Sequence, residues 1–148
     1  MSTYRQIYYH LVFGTKFRDP SITSSGEKPL YNYVWGIIKS LNCKLYQING
    51  MSDHLHLLTD LHPSISLSNF VKEIKVSSSM WMKKSGLFPS FVGWQEGYGS
   101  FTCSESEKDR IISYIKGQKS HHAIESFEEE YKRLLQEHQI SFEEKYLF

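Results

Sequence analysis

The residue types best suited to chemistry stand in two places. His54 and His56 flank Leu55 in a stretch, 54–61, that reads as a strand. Side chains alternate across a strand, so both imidazoles leave the same face roughly 7 Å apart along the chain. There they can converge on one cation, while Leu55 points the other way and anchors the strand. Tyr114 and Gln118, four apart in a segment of helical pattern, share a face about one turn, ~6 Å, apart. A phenol can attack and an amide can ligate.

Both sets also have a plain structural reading. The chain has 7 histidines and 10 tyrosines, so any one of them is cheap. His54 and His56 can be ordinary half-buried or surface groups, and Tyr114 stands beside Ile111 and Ile115 on a buried stripe. His121 and His122 fall near a helix C-terminus, which favours imidazolium, and read as capping or phosphate contacts, not metal ligands. His10, His62 and His138 read as structural or surface groups.

The elements that must position these groups follow from pattern. The run from Tyr4 to Phe17 is rich in aromatic and β-branched residues and predicts a first strand. Leu30, Val34, Ile37, Ile38 and Leu41 recur at helical spacing and predict a helix ending near Asn42. Cys43 to Asn49 alternates apolar and polar, and a link over 50–53 leads into the strand that carries His54 and His56. Leu67, Phe70, Val71, Ile74, Ser78 and Trp81 define a second helix. Val92 to Thr102 predicts a fourth strand, with glycines suggesting a bend. Ser104 with Glu107, and Ser126 with Glu129, are capping boxes that open helices from about 105 to 120 and after 126. The order β-α-β-β-α-β followed by two helices predicts an α+β, ferredoxin-like (RRM-like) antiparallel sheet, with helices on one face plus C-terminal helices.

A chain of 148 residues without repeats, low-complexity segments or linkers predicts a single domain over 1–148, its C-terminal helices at about 105–139 carrying Tyr114. Seventeen Lys and Arg against sixteen Asp and Glu leave a formal charge of +1, so any contact with a polyanion must come from a local patch. Lys72, Lys75, Lys83 and Lys84 on or after the second helix, with Trp81, are candidates for phosphate contact and base stacking. A solvated helix face accounts for the lysines equally, and Trp81 also fits the buried stripe. Cys43 and Cys103 lack the spacing of a disulfide framework or zinc finger. No leader pattern follows Met1 and no apolar run approaches a membrane span, so a cytoplasmic location with no membrane partner is expected.

The quoted motifs together resemble a known family. His54-Leu55-His56 is similar to the His-hydrophobic-His signature of HUH nucleases, and Tyr114-Ile115-Lys116-Gly117-Gln118 to the Tyr-x-x-x-Gln helix of single-tyrosine transposases. The flanking runs Tyr9 to Lys16, Trp94 to Phe101 and Gln118 to His122 agree, so the resemblance spans nearly the whole chain. The family is that of TnpA-type transposases of the smallest bacterial insertion sequences, including domesticated relatives associated with repetitive extragenic palindromes. The resemblance implies a homodimer acting on single-stranded DNA with hairpins. It implies that His54, His56 and Gln118 hold a divalent cation, Mg²⁺ or Mn²⁺, and that Tyr114 is the nucleophile, on a helix able to pair with the partner subunit's histidines.

Such a ligand set brings no negative charge, which would leave the cation strongly electrophilic toward a phosphodiester. Attack by Tyr114 would leave a 5′-phosphotyrosyl link and a free 3′-OH, and another 3′-OH could reverse the step without ATP. Gly117 inside the helix would soften it, letting the tyrosine move, or would serve close packing. Three other readings stay open: a domesticated single-strand nuclease, a non-catalytic nucleic-acid-binding module with aromatics on the sheet face, and a metal hydrolase that uses water without Tyr114.

Overall fold

Residues 4–148 are described by a computed structural model; the reading of the start at Met1 to Thr3 lies outside them. Strand Tyr8–Gly14 (β1) leads through a short 3-10 turn into helix Glu27–Ser40 (α1), which buries Leu30, Val34 and Ile38 at every fourth position. Strands Leu45–Met51 (β2) and His54–Thr59 (β3) form a hairpin, followed by helix Leu67–Ser85 (α2), whose first turn is capped by the Ser66 side chain. Strand Gly99–Cys103 (β4) precedes helices Lys108–Lys116 (α3), Gln118–His121 (α4) and Phe127–Glu137 (α5).

The sheet is antiparallel throughout, in the order β2-β3-β1-β4, so the ferredoxin-like expectation holds. Paired residues share a face, and the register sets Leu55 against Phe13 and Leu57 against Leu11. These four, fully buried, form the main core with α1 and α2. On the other face lie His10, Val12, His54, His56 and Leu58 of β1 and β3. Val12 and Phe101 pack there against Phe127, Tyr131, Leu134 and Leu135 of α5, and Leu58 packs against Ile115 of α3.

Helices therefore close both faces. Tyr8, Phe13 and Phe101 are 6%, 0% and 2% exposed, so these aromatics offer no open sheet surface for bases to stack on.

Boundaries differ from the pattern-based reading in three informative places. The hairpin turn is only Ser52-Asp53, because pairing of β2 continues through Gly50 and Met51. The fourth strand is short: Trp94 makes an isolated bridge to Thr15, and the chain then detours. The detour is stabilised by Lys75, whose Nζ donates to the carbonyls of Gln95, Glu96 and Gly97 at 2.8, 3.2 and 2.7 Å, so an ammonium satisfies groups that a strand would otherwise pair. The helix expected over 105–120 begins as a 3-10 turn at Glu105–Glu107 and breaks at Gly117. Both capping boxes form as expected, and both cysteines are free.

Candidate active site

The two-residue hairpin turn sets the first imidazole. Asp53 Oδ1 lies 2.7 Å from His54 Nδ1, turning Nε2 inward. His56 Nδ1 lies 2.8 Å from Nε2 of His10, which is buried on β1. The rings of His54 and His56 are fully buried with centroids 5.1 Å apart, on the same face as alternation requires. Phe127 stacks on His54 at 4.1 Å. Gly14, opposite His54 in the register, makes room for it: a Cβ there would stand 2.6 Å from the Phe127 ring.

Glu130 of α5 is the hub. Its carboxylate is fully buried, with Oε1 at 2.9 Å from His56 Nε2, 2.9 Å from His122 Nε2 and 3.2 Å from His54 Nε2. Its Oε2 accepts from Gln118 Nε2 at 3.2 Å and from the Tyr114 hydroxyl. Gln118 Oε1 also lies 3.4 Å from His54 Nε2. Tyr114, Gln118, His54 and His56 thus meet within one chain despite their distance in sequence. Arg133, braced by Glu125 and Glu137, donates to the Tyr114 hydroxyl at 2.7 Å. Tyr114 is half-buried and lines a cavity of about 160 Å³ together with His10, Arg110 and Arg133.

Charges in this cluster are interdependent. Burial opposes ionisation of Glu130, but hydrogen bonds from His122, His54 and His56 hold its pKa far below the carboxylate range. Burial lowers the His56 pKa to about 4, so this ring is neutral. Burial also disfavours the charge on His54, yet its bonds to Asp53 and Glu130 outweigh that and raise its pKa. Tyr114 is pushed up, first by burial and then by the Glu130 carboxylate, with Arg133 opposing.

Several groups depart from the sequence reading. His122 takes the C-cap position of α4, as read, but its ring also faces Glu130 and belongs to a group with His54, His56 and Glu130 whose ligand atoms lie within 4.8 Å of one another, which corrects its exclusion from the candidate metal ligands. The ionised Glu130 among these donors corrects the expectation that they bring no negative charge. One signal could have found it: Glu130 occupies the buried stripe of α5, three after Phe127 and four before Leu134, where an acid has no reason to be without a partner. Asp53 stands directly before the His pair, and His10 alternates with Tyr8 and Val12.

The expected DNA contacts are not gathered at this site. Lys72, Lys83 and Lys84 are exposed on α2, across the sheet from the histidines. Lys75 is engaged by the three carbonyls above, and Trp81 is stacked on Tyr33 at 4.8 Å and packed against Phe88. A larger groove of about 460 Å³ runs along that α2 face, past Lys72, Val76 and Met80, away from the histidines.

The model of the family "Transposase IS200 like" matches residues 3–118, and the chain belongs to this family. It is 27% identical over 118 residues to the ISDra2 transposase TnpA of Deinococcus radiodurans, covering 76% of this chain and 84% of the relative. It is 24% identical over 115 residues to the transposase for insertion sequence element IS200 of Salmonella typhimurium, covering 74% and 75%. Among solved structures it is similar to one from Deinococcus radiodurans described as a transposase, with TM-score 0.61, 27% identity and coverage of 80% and 95%. The fold also matches a REP-associated tyrosine transposase bound to a REP hairpin, with TM-score 0.62, 14% identity and coverage of 82% and 74%. No helix among the described residues is long and apolar enough to cross a membrane.

Proposed function

We propose that this transposase cleaves and rejoins single-stranded DNA, recognised through hairpins, with Tyr114 as nucleophile. The observation that carries the reading is the convergence of the Tyr114 hydroxyl and the Nε2 atoms of His54 and His56 on one buried carboxylate. The donor chemistry fits a divalent cation. His54 Nδ1 is tied to Asp53 and His56 Nδ1 to His10, the arrangement that orients ligating imidazoles. His54 and His56, with Gln118 beside them, would hold Mg²⁺ or Mn²⁺. When bound, the cation would polarise the scissile phosphate and offset charge built up there.

The chain's own groups supply the rest. As the Tyr114 oxygen attacks phosphorus, its proton is lost to solvent and the bond to the 3′ oxygen breaks. A 5′-phosphotyrosyl link forms, and the 3′-OH departs with a proton from solvent. Arg133 steadies negative charge on the phenol oxygen. Attack by another strand's 3′-OH reverses the step and returns the phenol. Assembly of the whole cluster from one chain supports a tyrosine acting in cis. A homodimer, with one such site per subunit for the two ends of an element, is part of the same proposal.

The test is incubation with labelled single-stranded hairpin DNA and Mn²⁺ or Mg²⁺, followed by denaturing electrophoresis. A covalent protein–DNA band absent in Tyr114→Phe is expected. Cleavage that survives this substitution would indicate a water-using hydrolase instead, and binding without cleavage a non-catalytic module.

A further inference from the structure

The cleft beside Tyr114 has no task in the strand transfer described above. It lies over β4, between α3 and α5. Arg110, Ile111 and Tyr114 recur at helical spacing along one side, and Leu134, Glu137 and His138 along the other. Phe101 and Cys103 form its floor, turned to this face of the sheet by their register with His10 and Tyr8. The space amounts to about 160 Å³.

Its charges are already paired. Arg110 meets Glu107 at 3.1 Å, and Arg133 meets Glu125 and Glu137 at 3.0 Å each. Among the described residues these two guanidiniums are thus matched by three carboxylates, which disfavours a phosphate in the cleft. Donors and acceptors side by side at the rim, with flat and apolar walls behind them, suit a neutral planar ring instead. His138 supplies one flat wall, its ring exposed and backed by Phe101 at a centroid distance of 4.6 Å. Tyr114 supplies another. A strand whose phosphorus meets the Tyr114 oxygen therefore brings the neighbouring bases to the mouth of this cleft.

We propose that the cleft receives one unpaired nucleobase, turned out of its strand, from the nucleotide next to the phosphate that Tyr114 attacks. The proposal rests on the strand-cleaving reading and adds to it a subsite for a base. Holding that base would keep the phosphorus in place before the hydroxyl. A paired strand cannot deliver a base into such a space without unpairing it, so the subsite favours single-stranded DNA.

The experiment uses the full-length protein and labelled hairpin DNA with single-stranded flanks, carrying an abasic residue at each flanking position in turn. Two variants accompany it: His138→Ala removes a wall, and Cys103→Phe fills the floor. Adduct formation is timed with Mn²⁺ or Mg²⁺, and affinity is followed by fluorescence anisotropy. One abasic position, bordering the mapped cleavage point, should slow the adduct roughly 5- to 150-fold, the range for losing one stacked base. Either variant should slow the intact strand comparably and slow that abasic strand no further, since losses at one contact do not add. Circular dichroism checks folding; should the half-buried Cys103→Phe position not tolerate the ring, His138→Ala decides, because His138 is exposed at the end of α5.

The assignment is overturned if no single position is sensitive, or if folded variants slow the intact and abasic strands alike. Adducts that form with such additive losses would refute the subsite and leave strand cleavage standing. If no strand yields an adduct, the cleavage reading falls, and the same cycle read in affinity decides the cleft: non-additive losses keep it as a base pocket, additive losses remove it.

Discussion

Burial opposes the charge on Glu130, but hydrogen bonds from His122, His54 and His56 sustain it, and the neighbouring rings titrate in opposite directions. His10 and His56 are lowered mainly by burial, His56 to about 4. Between about pH 6.5 and 4 the unfolded chain therefore binds protons that the folded chain refuses, and stability falls as pH falls. For His56 this amounts to something on the order of 3 kcal/mol by pH 4. His54 is raised, so its contribution is whole below pH ~6.5 and is lost as pH climbs through its folded pKa. Urea melts of chelator-treated protein should show the midpoint falling on the acid side of about pH 6.5, and falling again on the alkaline side. A midpoint flat across that range would contradict both assignments. Arg133 opposes the upward shift of Tyr114, and a hydrogen bond to a charged group is worth about 1.5–3 kcal/mol. Arg133→Ala should slow adduct formation roughly 10- to 100-fold at neutral pH and move the rate profile to higher pH, as measured in single-turnover assays. At this scale the sequence was half legible. The His pair declared itself because period two places both rings on one face. Glu130 did not, because acids on an amphipathic helix ordinarily face water, and only its phase relative to Phe127 and Leu134 marks it.

Elements were most legible where local chemistry decides them. The boxes at Ser104 and Ser126 open their helices as the spacing demands, since each satisfies orphan amides within four residues. They were least legible where distant groups intervene, as when Lys75 takes the carbonyls that would have extended β4. The break at Gly117 lies between these cases. Its φ of −86° is open to any residue, and an added Cβ would meet the Ser113 and Tyr114 carbonyl oxygens at ordinary distances of 3.5 and 3.7 Å. Gly117→Ala should therefore fit and stabilise by up to about 1 kcal/mol in a urea melt. If the break lets the tyrosine segment shift, the same change should slow strand exchange more than first cleavage. Equal slowing of both would assign Gly117 to packing alone.

For the whole molecule, the decisive feature is that the second helical layer closes the sheet and builds the site at once. The α5 helix covers Val12 and Phe101 with one part of its stripe and delivers Glu130 with another. Removing residues 124–148 should thus expose an apolar sheet face as well as dismantle the cluster. The expected signs are increased binding of a hydrophobic dye and loss of a cooperative melt; a cooperatively folded truncate would show that the layer serves the site only. The contact between His10 and His56 carries a consequence across these layers. Neutral His56 has a single ring proton. Facing Glu130, that proton sits on Nε2, and Nδ1 must accept from His10. A cation at Nε2 needs the lone pair there, so the proton must shift to Nδ1 and point at His10, whose own proton is driven to its far nitrogen. The pair thus has two polarities, and ¹⁵N resonances of His10, a ring that itself holds no ion, should register whether the centre is filled by a change of tautomer.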